Sequence, residues 1–174
     1  MSSTGREPQD PIVQRPHMPG YGLEKVTARP LPWDWAEERL RASHNYFVST
    51  VSPDGRPHCV PVWGVWTGGM FFFSSGPRSR KARNLASSPR CVVCTEGGRE
   101  AVIVQGEAEE VRDEATFSHF ADAYEAKYNY RPQQGADLVF AVRPEVAFGF
   151  VESEDFPATA TRWRFGAPRG TGRT

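Results

Sequence analysis

The stretch Phe71-Phe72-Phe73-Ser74-Ser75-Gly76-Pro77-Arg78-Ser79-Arg80-Lys81-Ala82-Arg83-Asn84-Leu85 decides how the rest of the chain is read. Its three aromatics have strong β preference, and the Gly68-Gly69 pair ahead of Met70 supplies the turn that leads into such a strand. Pro77 and the residues Arg78 to Ser87, closed by Ser87-Ser88-Pro89, read as a short helix, so a buried strand is expected to pass through a serine-rich loop into a helix. Free backbone N–H groups, hydroxyls and concentrated positive charge meet at that junction, which is what a phosphate dianion needs on leaving water. A run of cations is commonly just a solvated helix face. Basic side chains in a first helical turn oppose the macrodipole, however, and this favours an anion there.

Strand signals lie on both sides of this stretch. Tyr46 to Val51 is β-rich, Ser52-Pro53-Asp54-Gly55 is a turn, and Pro57 to Trp66 resumes an extended pattern, which together predict a hairpin. Further runs at Cys91 to Thr95, Ala101 to Val111, Leu138 to Val142, Val146 to Val151 and Thr159 to Phe165 read as strands. Pro32 to Arg41 predicts a first helix, and Asp113 to Tyr128, with Phe117, Phe120, Ala121, Tyr124 and Tyr128 on one face, predicts the main one. The count fits a mainly β protein with flanking helices, built as a closed antiparallel barrel.

The 174 residues suffice for one buried core, which the pattern assigns to residues 31–166. Residues 1–30, with Pro8, Pro11, Pro16 and Pro19 and few bulky apolar groups, are expected to be a loose arm or to lie along a partner, and 167–174 a disordered tail. Lys plus Arg and Asp plus Glu are both 21, so no global field draws in nucleic acid or a membrane surface, and any anion site is local. Cys59, Cys91 and Cys94 are odd in number and the four histidines are scattered, so neither disulfide nor metal chemistry is expected. With no apolar block of spanning length or leader pattern, a cytoplasmic protein is expected.

The order of the Pro57 to Trp63 strand, then Gly69-Met70-Phe71-Phe72-Phe73-Ser74, loop and Ser79-Arg80-Lys81 resembles the pyridoxamine 5'-phosphate oxidase-like split-barrel superfamily. The resemblance covers Tyr46 to about Val111 well, and the last third by strand count alone. It implies a six-stranded antiparallel split β-barrel of Greek-key type with two or three helices, working as a homodimer with the cofactor at the subunit interface. It further implies that Ser79, Arg80 and Lys81 bind the cofactor phosphate within a loop that includes Ser75, Arg78 and Asn84. Phe73 and Ser74 would contact the ribityl chain, His58, Val60, Pro61, Val62 and Trp63 would run along the tricyclic ring, and Gln105 would be a polar contact from the next strand pair.

Several positions leave two roles open. Trp63 and Trp66 either stack on a cofactor ring or fill the barrel; His58 either bonds the cofactor or is a surface imidazole; Trp163, beside Arg162, either closes the site from the other subunit or anchors the last strand. Pro61 within a strand marks an edge, a bulge or a place where a ring lies against backbone. Oxidase members of the superfamily carry basic residues around the ring-contacting strand and an Arg-x-His motif near the C-terminus. This chain has His58, Trp63 and Arg162-Trp163-Arg164 there, which argues against vitamin B6 oxidation. What remains is similar to the flavin/deazaflavin oxidoreductase branch, which binds FMN or F420, and the extra Arg78 and Arg83 favour the longer anionic tail of F420. The expected chemistry is hydride transfer to an electron-poor small molecule, with no catalytic side chain. The alternative is a non-catalytic carrier of flavin, F420 or haem.

Overall fold

The computed structural model describes residues 10–166. Among them are nine strands: β1 (Ile12–Gln14), β2 (Tyr46–Val51), β3 (Pro57–Val62), β4 (Gly64–Thr67), β5 (Met70–Ser75), β6 (Arg90–Thr95), β7 (Glu100–Glu110), β8 (Leu138–Val151) and β9 (Thr161–Arg164). Four α-helices accompany them: α1 (Trp33–Ala42), α2 (Arg80–Ser87), α3 (Glu114–Tyr128) and α4 (Phe156–Thr159). Every strand pairing is antiparallel, in the order β1-β9-β8-β7-β6-β2-β3, with β5 also on β8 and β4 on β5. This is the expected mainly β split barrel with flanking helices, although its strands number nine rather than six.

The extra strands have local causes. Pro57 to Trp66 is two strands, because the chain leaves β2 at Val62 and rejoins the sheet on β5 at Gly64. Gly64 permits the crossing: a Cβ there would stand 2.3 Å from Phe71 Cζ. This step, with Trp63 at its centre, is the split of the barrel. In contrast, the two expected runs from Leu138 to Val151 are one strand, whose residues Leu138–Val142 pair with β5 and Val146–Gly149 with β9. Pro144 lies between these two stretches, opposite a bulge at Gln105/Gly106 in β7.

The Phe71-Phe72-Phe73 run is continuous because both faces of β5 are covered. Phe71 and Phe73 enter the barrel core with Tyr46, Val48, Val93, Val102, Val104, Val142 and Trp163. Phe72 points the other way, into a second cluster with Val65, Val139 and Phe120 and Tyr124 of α3. Asp113 caps α3 by accepting from Thr116 N at 2.8 Å, as its place in the sequence suggests.

The expectation of a loose arm does not hold for residues 10–30. β1 pairs with β9, Leu23 is buried, and Arg29 bonds Asp155 at 2.7 Å. Arg15 Nη2 donates to Val26 O and Pro157 O, each at 3.0 Å. The rest of the expected arm, residues 1–9, and the tail 167–174 lie outside the described residues. Among those described, no helix is long and apolar enough to cross a membrane.

Candidate functional site

The serine turn is organised around Ser79. Its side chain caps α2 by accepting from Ala82 N at 3.1 Å, and its Oγ lies 2.7 Å from Ser75 Oγ at the end of β5. Its amide donates to Gly76 O at 3.0 Å, and its carbonyl accepts from Arg83 N at 3.2 Å. The amides of Arg80 and Lys81, at the first two helical positions, are left without an intrahelical partner, which is the usual donor set for an anion. Asn84, buried one turn on, donates to Thr50 Oγ1 at 2.9 Å and so ties α2 to β2. Thr50 pairs in turn with His58, whose Nδ1 is buried without a hydrogen-bond partner among the described residues.

Charge at the turn is less one-sided than the sequence implies. Arg78, Arg80 and Arg83 are exposed, Arg83 donating to the Arg78 carbonyl, while Lys81 is half-buried. Burial holds the Lys81 ammonium below its ordinary range, and Asp137 opposes that shift. Asp54 is held below the usual carboxylate range, first by its Ser52 hydrogen bond and more weakly by Arg80. The basic helix start therefore has two carboxylates within electrostatic reach.

The ring-contacting strand ends in an aromatic cluster. Val60 is half-buried, Pro61 exposed and Val62 buried in the core. Trp63 is 45% exposed and stacks on Tyr128 at 4.8 Å between centroids, with 4° between planes. The Tyr128 hydroxyl accepts from Gly64 N at 3.0 Å and lies 2.7 Å from the His44 carbonyl and 2.8 Å from the Gly64 carbonyl, which compete for its one proton. Lys127 Nζ donates to Gly64 O at 3.2 Å and Tyr46 Oη at 2.7 Å, so two consecutive residues at the end of α3 hold the backbone beside Trp63.

The other expected positions divide. Ser74 is half-buried beside Tyr124, whose phenol burial pushes up and the Ser74 hydroxyl draws down. The side chain of Phe73 is fully buried against Phe140 and its backbone is paired with Gly64 on one side and Phe140 on the other, so the expected ribityl contact from Phe73 is corrected: it has no group left for a ligand. Trp66 is a core residue whose Nε1 donates to Glu37 at 3.0 Å. Gln105 stands exposed at the β7 bulge, paired with Val92 and Val146, and shares no pairing with the serine turn. The role of Trp163 in closing a site from another subunit is corrected. The residue is fully buried within its own barrel, 5.2 Å from Trp33 between ring centroids and against Gly149. An open groove of about 690 Å³ is lined by residues including Arg39, Ser43, Glu96, Arg99, Glu100 and Glu152, none of them an expected site residue.

Thr50, Asp137 and Lys127 were not marked by the sequence, and Tyr128 was marked only as part of a helix face. Tyr124 and Tyr128 are legible as one helix face, but nothing local tells that this face ends over the β3–β4 step.

An antiparallel split barrel with a serine turn feeding a basic helix start defines a recognisable class. The family model described as pyridoxamine 5'-phosphate oxidase matches residues 33–150, and the chain belongs to that family. A pyridoxine/pyridoxamine 5'-phosphate oxidase of Thermobifida fusca (strain YX) is 36% identical over 124 residues, covering 64% of this chain; the chain spans 56% of that relative's length. An F420 reductase structure matches at 21% identity and TM-score 0.53, over 64% of this chain and 94% of that one. A heme binding protein from Mycobacterium smegmatis matches at 20% identity and TM-score 0.55, over 68% and 54%. The structural likenesses show a shared fold.

Proposed function

We propose that the chain is an FMN- or F420-dependent oxidoreductase of the flavin/deazaflavin branch, passing a hydride from the reduced cofactor to an electron-poor conjugated small molecule. The observation that carries this reading is the Ser75–Ser79 turn with free Arg80 and Lys81 amides and the half-buried Lys81 ammonium. Arg80, Lys81, Ser75 and Ser79 would hold the phosphate, with Arg78 beside them. Ser74 would meet the polyol chain. Extended chain from His58 to Trp63 spans ~16 Å, enough to lay a ring and part of its polyol along β3. The cofactor supplies the hydride chemistry, while the protein orients it and excludes water.

The Thermobifida fusca relative is named an oxidase of pyridoxine and pyridoxamine 5'-phosphate. At residues 162–164 this chain has Arg-Trp-Arg with the Trp163 side chain in the core, so we place its substrate outside that class. We further propose a cytoplasmic homodimer that completes the cofactor site between subunits. Phe47, Val51, Cys59 and Pro61 leave an exposed, largely apolar strip on one face of β2 and β3 for a second copy. A site shared in this way would not form a closed cavity in one chain.

A carrier of flavin, F420 or haem without turnover is the alternative, because binding alone needs the same phosphate turn. Titrating the purified protein with FMN, F420 and haem, then mixing the reduced cofactor complex with quinones and enones by stopped flow, separates the readings. Tight binding of FMN or F420 with accelerated oxidation supports the oxidoreductase. Binding without acceleration supports the carrier, and no binding of FMN or F420 overturns the proposal.

A further inference from the structure

Lys127 is a cation held in place at a cost. Its Nζ lies 4.7 Å from the Tyr46 ring centroid and 5.4 Å from that of Tyr128, with two of its three donors spent on Tyr46 Oη and Gly64 O. Among the described residues it forms no salt bridge. Glu96, the carboxylate that acts on it, spends its oxygens on His44 N at 2.8 Å and Asn45 Nδ2 at 2.9 Å. The other titratable groups around it are the phenols of Tyr46 and Tyr128, both held neutral by burial, and His44, whose ring lies 5.3 Å from that of Tyr128. A hydrophobic side chain would pack between these rings without desolvating a charge. The charge also lies at the β3–β4 step, 5.4 Å from the centroid of the Tyr128 ring on which Trp63 stacks.

We propose that Lys127 is the electrostatic positioning residue of the cofactor site, its ammonium favouring the hydride-loaded form of the ring, which carries one more negative charge, over the oxidised form. This rests on the ring lying along β3 to Trp63, as proposed above. A hydride carries two electrons with one proton, so its arrival adds one negative charge near Lys127 and its departure to the acceptor removes it; the acceptor's new charge is then neutralised by a proton from water. A fixed cation already in place stabilises the charged form without reorganising solvent at the moment of transfer. Lys127 acts through Tyr128 and Trp63 and need not touch the ring.

The test compares Lys127→Met and Lys127→Arg with the unaltered full chain, measuring dissociation constants for oxidised and reduced FMN and F420. In Lys127→Met the reduced form loses about tenfold more affinity than the oxidised form, the order expected of one charge acting across ~10 Å of protein. Expressed as potential, tenfold is about 30 mV for a two-electron couple, and the bound couple shifts down by that amount. Lys127→Arg keeps most of the preference. In the unaltered chain the preference falls as pH rises through about 8, where the ammonium loses its proton. The same oxidised-to-reduced ratio in Lys127→Met and in the parent, with both binding the oxidised form, overturns this role and leaves the oxidoreductase reading standing. Failure of the parent chain to bind either cofactor overturns both.

Discussion

The hydroxyls of Ser75 and Ser79 lie 2.7 Å apart, the first at the end of β5 and the second capping α2, so strand and helix are joined by one hydrogen bond across the turn. Ser79 thus has a structural duty, capping, and a proposed one toward an anion, and two substitutions separate them. Ser79→Ala removes both and should cost about 1 kcal/mol of stability with weaker cofactor binding. Ser79→Asp keeps a strong cap but sets a carboxylate against the phosphate. Its melting temperature should match or exceed the parent's, while its Kd for FMN or F420 rises by about tenfold or more. Parent-like affinity in Ser79→Asp would remove the turn from the site.

Replacing Arg80 and Lys81 together by Ala should weaken cofactor binding by about 3 kcal/mol, more than about a hundredfold in Kd. Stability should hold or rise, because two cations leave the positive end of α2. Fluorescence titration at two salt concentrations checks both halves: the parent's affinity should fall with salt more steeply than the variant's.

Gly106→Ala should destabilise the chain by about 2–4 kcal/mol or prevent folding. A Cβ there would stand 1.9 Å from the Arg143 carbonyl oxygen and 3.2 Å from Pro144 Cα, and these backbone atoms of the paired strand have little room to yield. Gly98→Ala is the control, since a Cβ at Gly98 meets nothing within 4 Å. Denaturant midpoints of the two variants should differ clearly, with Gly98→Ala within about 0.5 kcal/mol of the parent.

Lys127 makes stability depend on pH in an unusual direction. Burial lowers its pKa from 10.5 to about 8, so between those values the unfolded chain binds the extra proton and its contribution to stability rises with pH. Below about pH 8 the buried charge weighs fully on the folded state. Lys127→Met should therefore melt higher than the parent at pH 7, by ~2–4 °C once the half-exposed position is allowed for, and the gap should close by about pH 10.5. Thermal scans across that range decide it; a variant less stable at pH 7 would mean that the lysine's bonds outweigh its desolvation.

The apolar strip over β2 and β3 gives the proposed homodimer a direct test. Light scattering of the parent should report about twice the 19.4 kDa chain mass, and Phe47→Glu, which puts a charge in the middle of the strip, should return it to the monomer. A parent of 19.4 kDa in solution would leave the cofactor site to be built from one chain.

The elements legible in the sequence are those whose cause is local. Alternation fixes β2, turn chemistry places the hairpin after it, and the Asp113 to Tyr128 face gives α3, whereas α2, expected from Pro77 and Arg78 onward, begins only at Arg80, after its Ser79 cap. The break of the Pro57 to Trp66 run was hidden, because it depends on Gly64 slipping past Phe71, a contact between different strands. The fusion of two runs into β8 was hidden by Pro144, which reads as a stop but sits opposite a bulge in β7. At the site, the serine turn was visible as a motif. Its ties to Thr50 and Asp137, and the Lys127–Tyr128 hold on the step beside Trp63, join residues far apart in the chain. Trp163 illustrates the reverse case: a large aromatic next to arginine suggests a site, yet burial in the core claims it.

β1 is only three residues long, but without it β9 would be the last rung of its side of the sheet, with a row of backbone donors and acceptors open to any passing chain. Pro11 and Pro16 bracket β1, and a proline has no N–H to offer a further strand. The front of the chain thus serves as a stopper against edge-to-edge growth into fibres, and a protein shortened past Gln14 would trade a sealed edge for a sticky one.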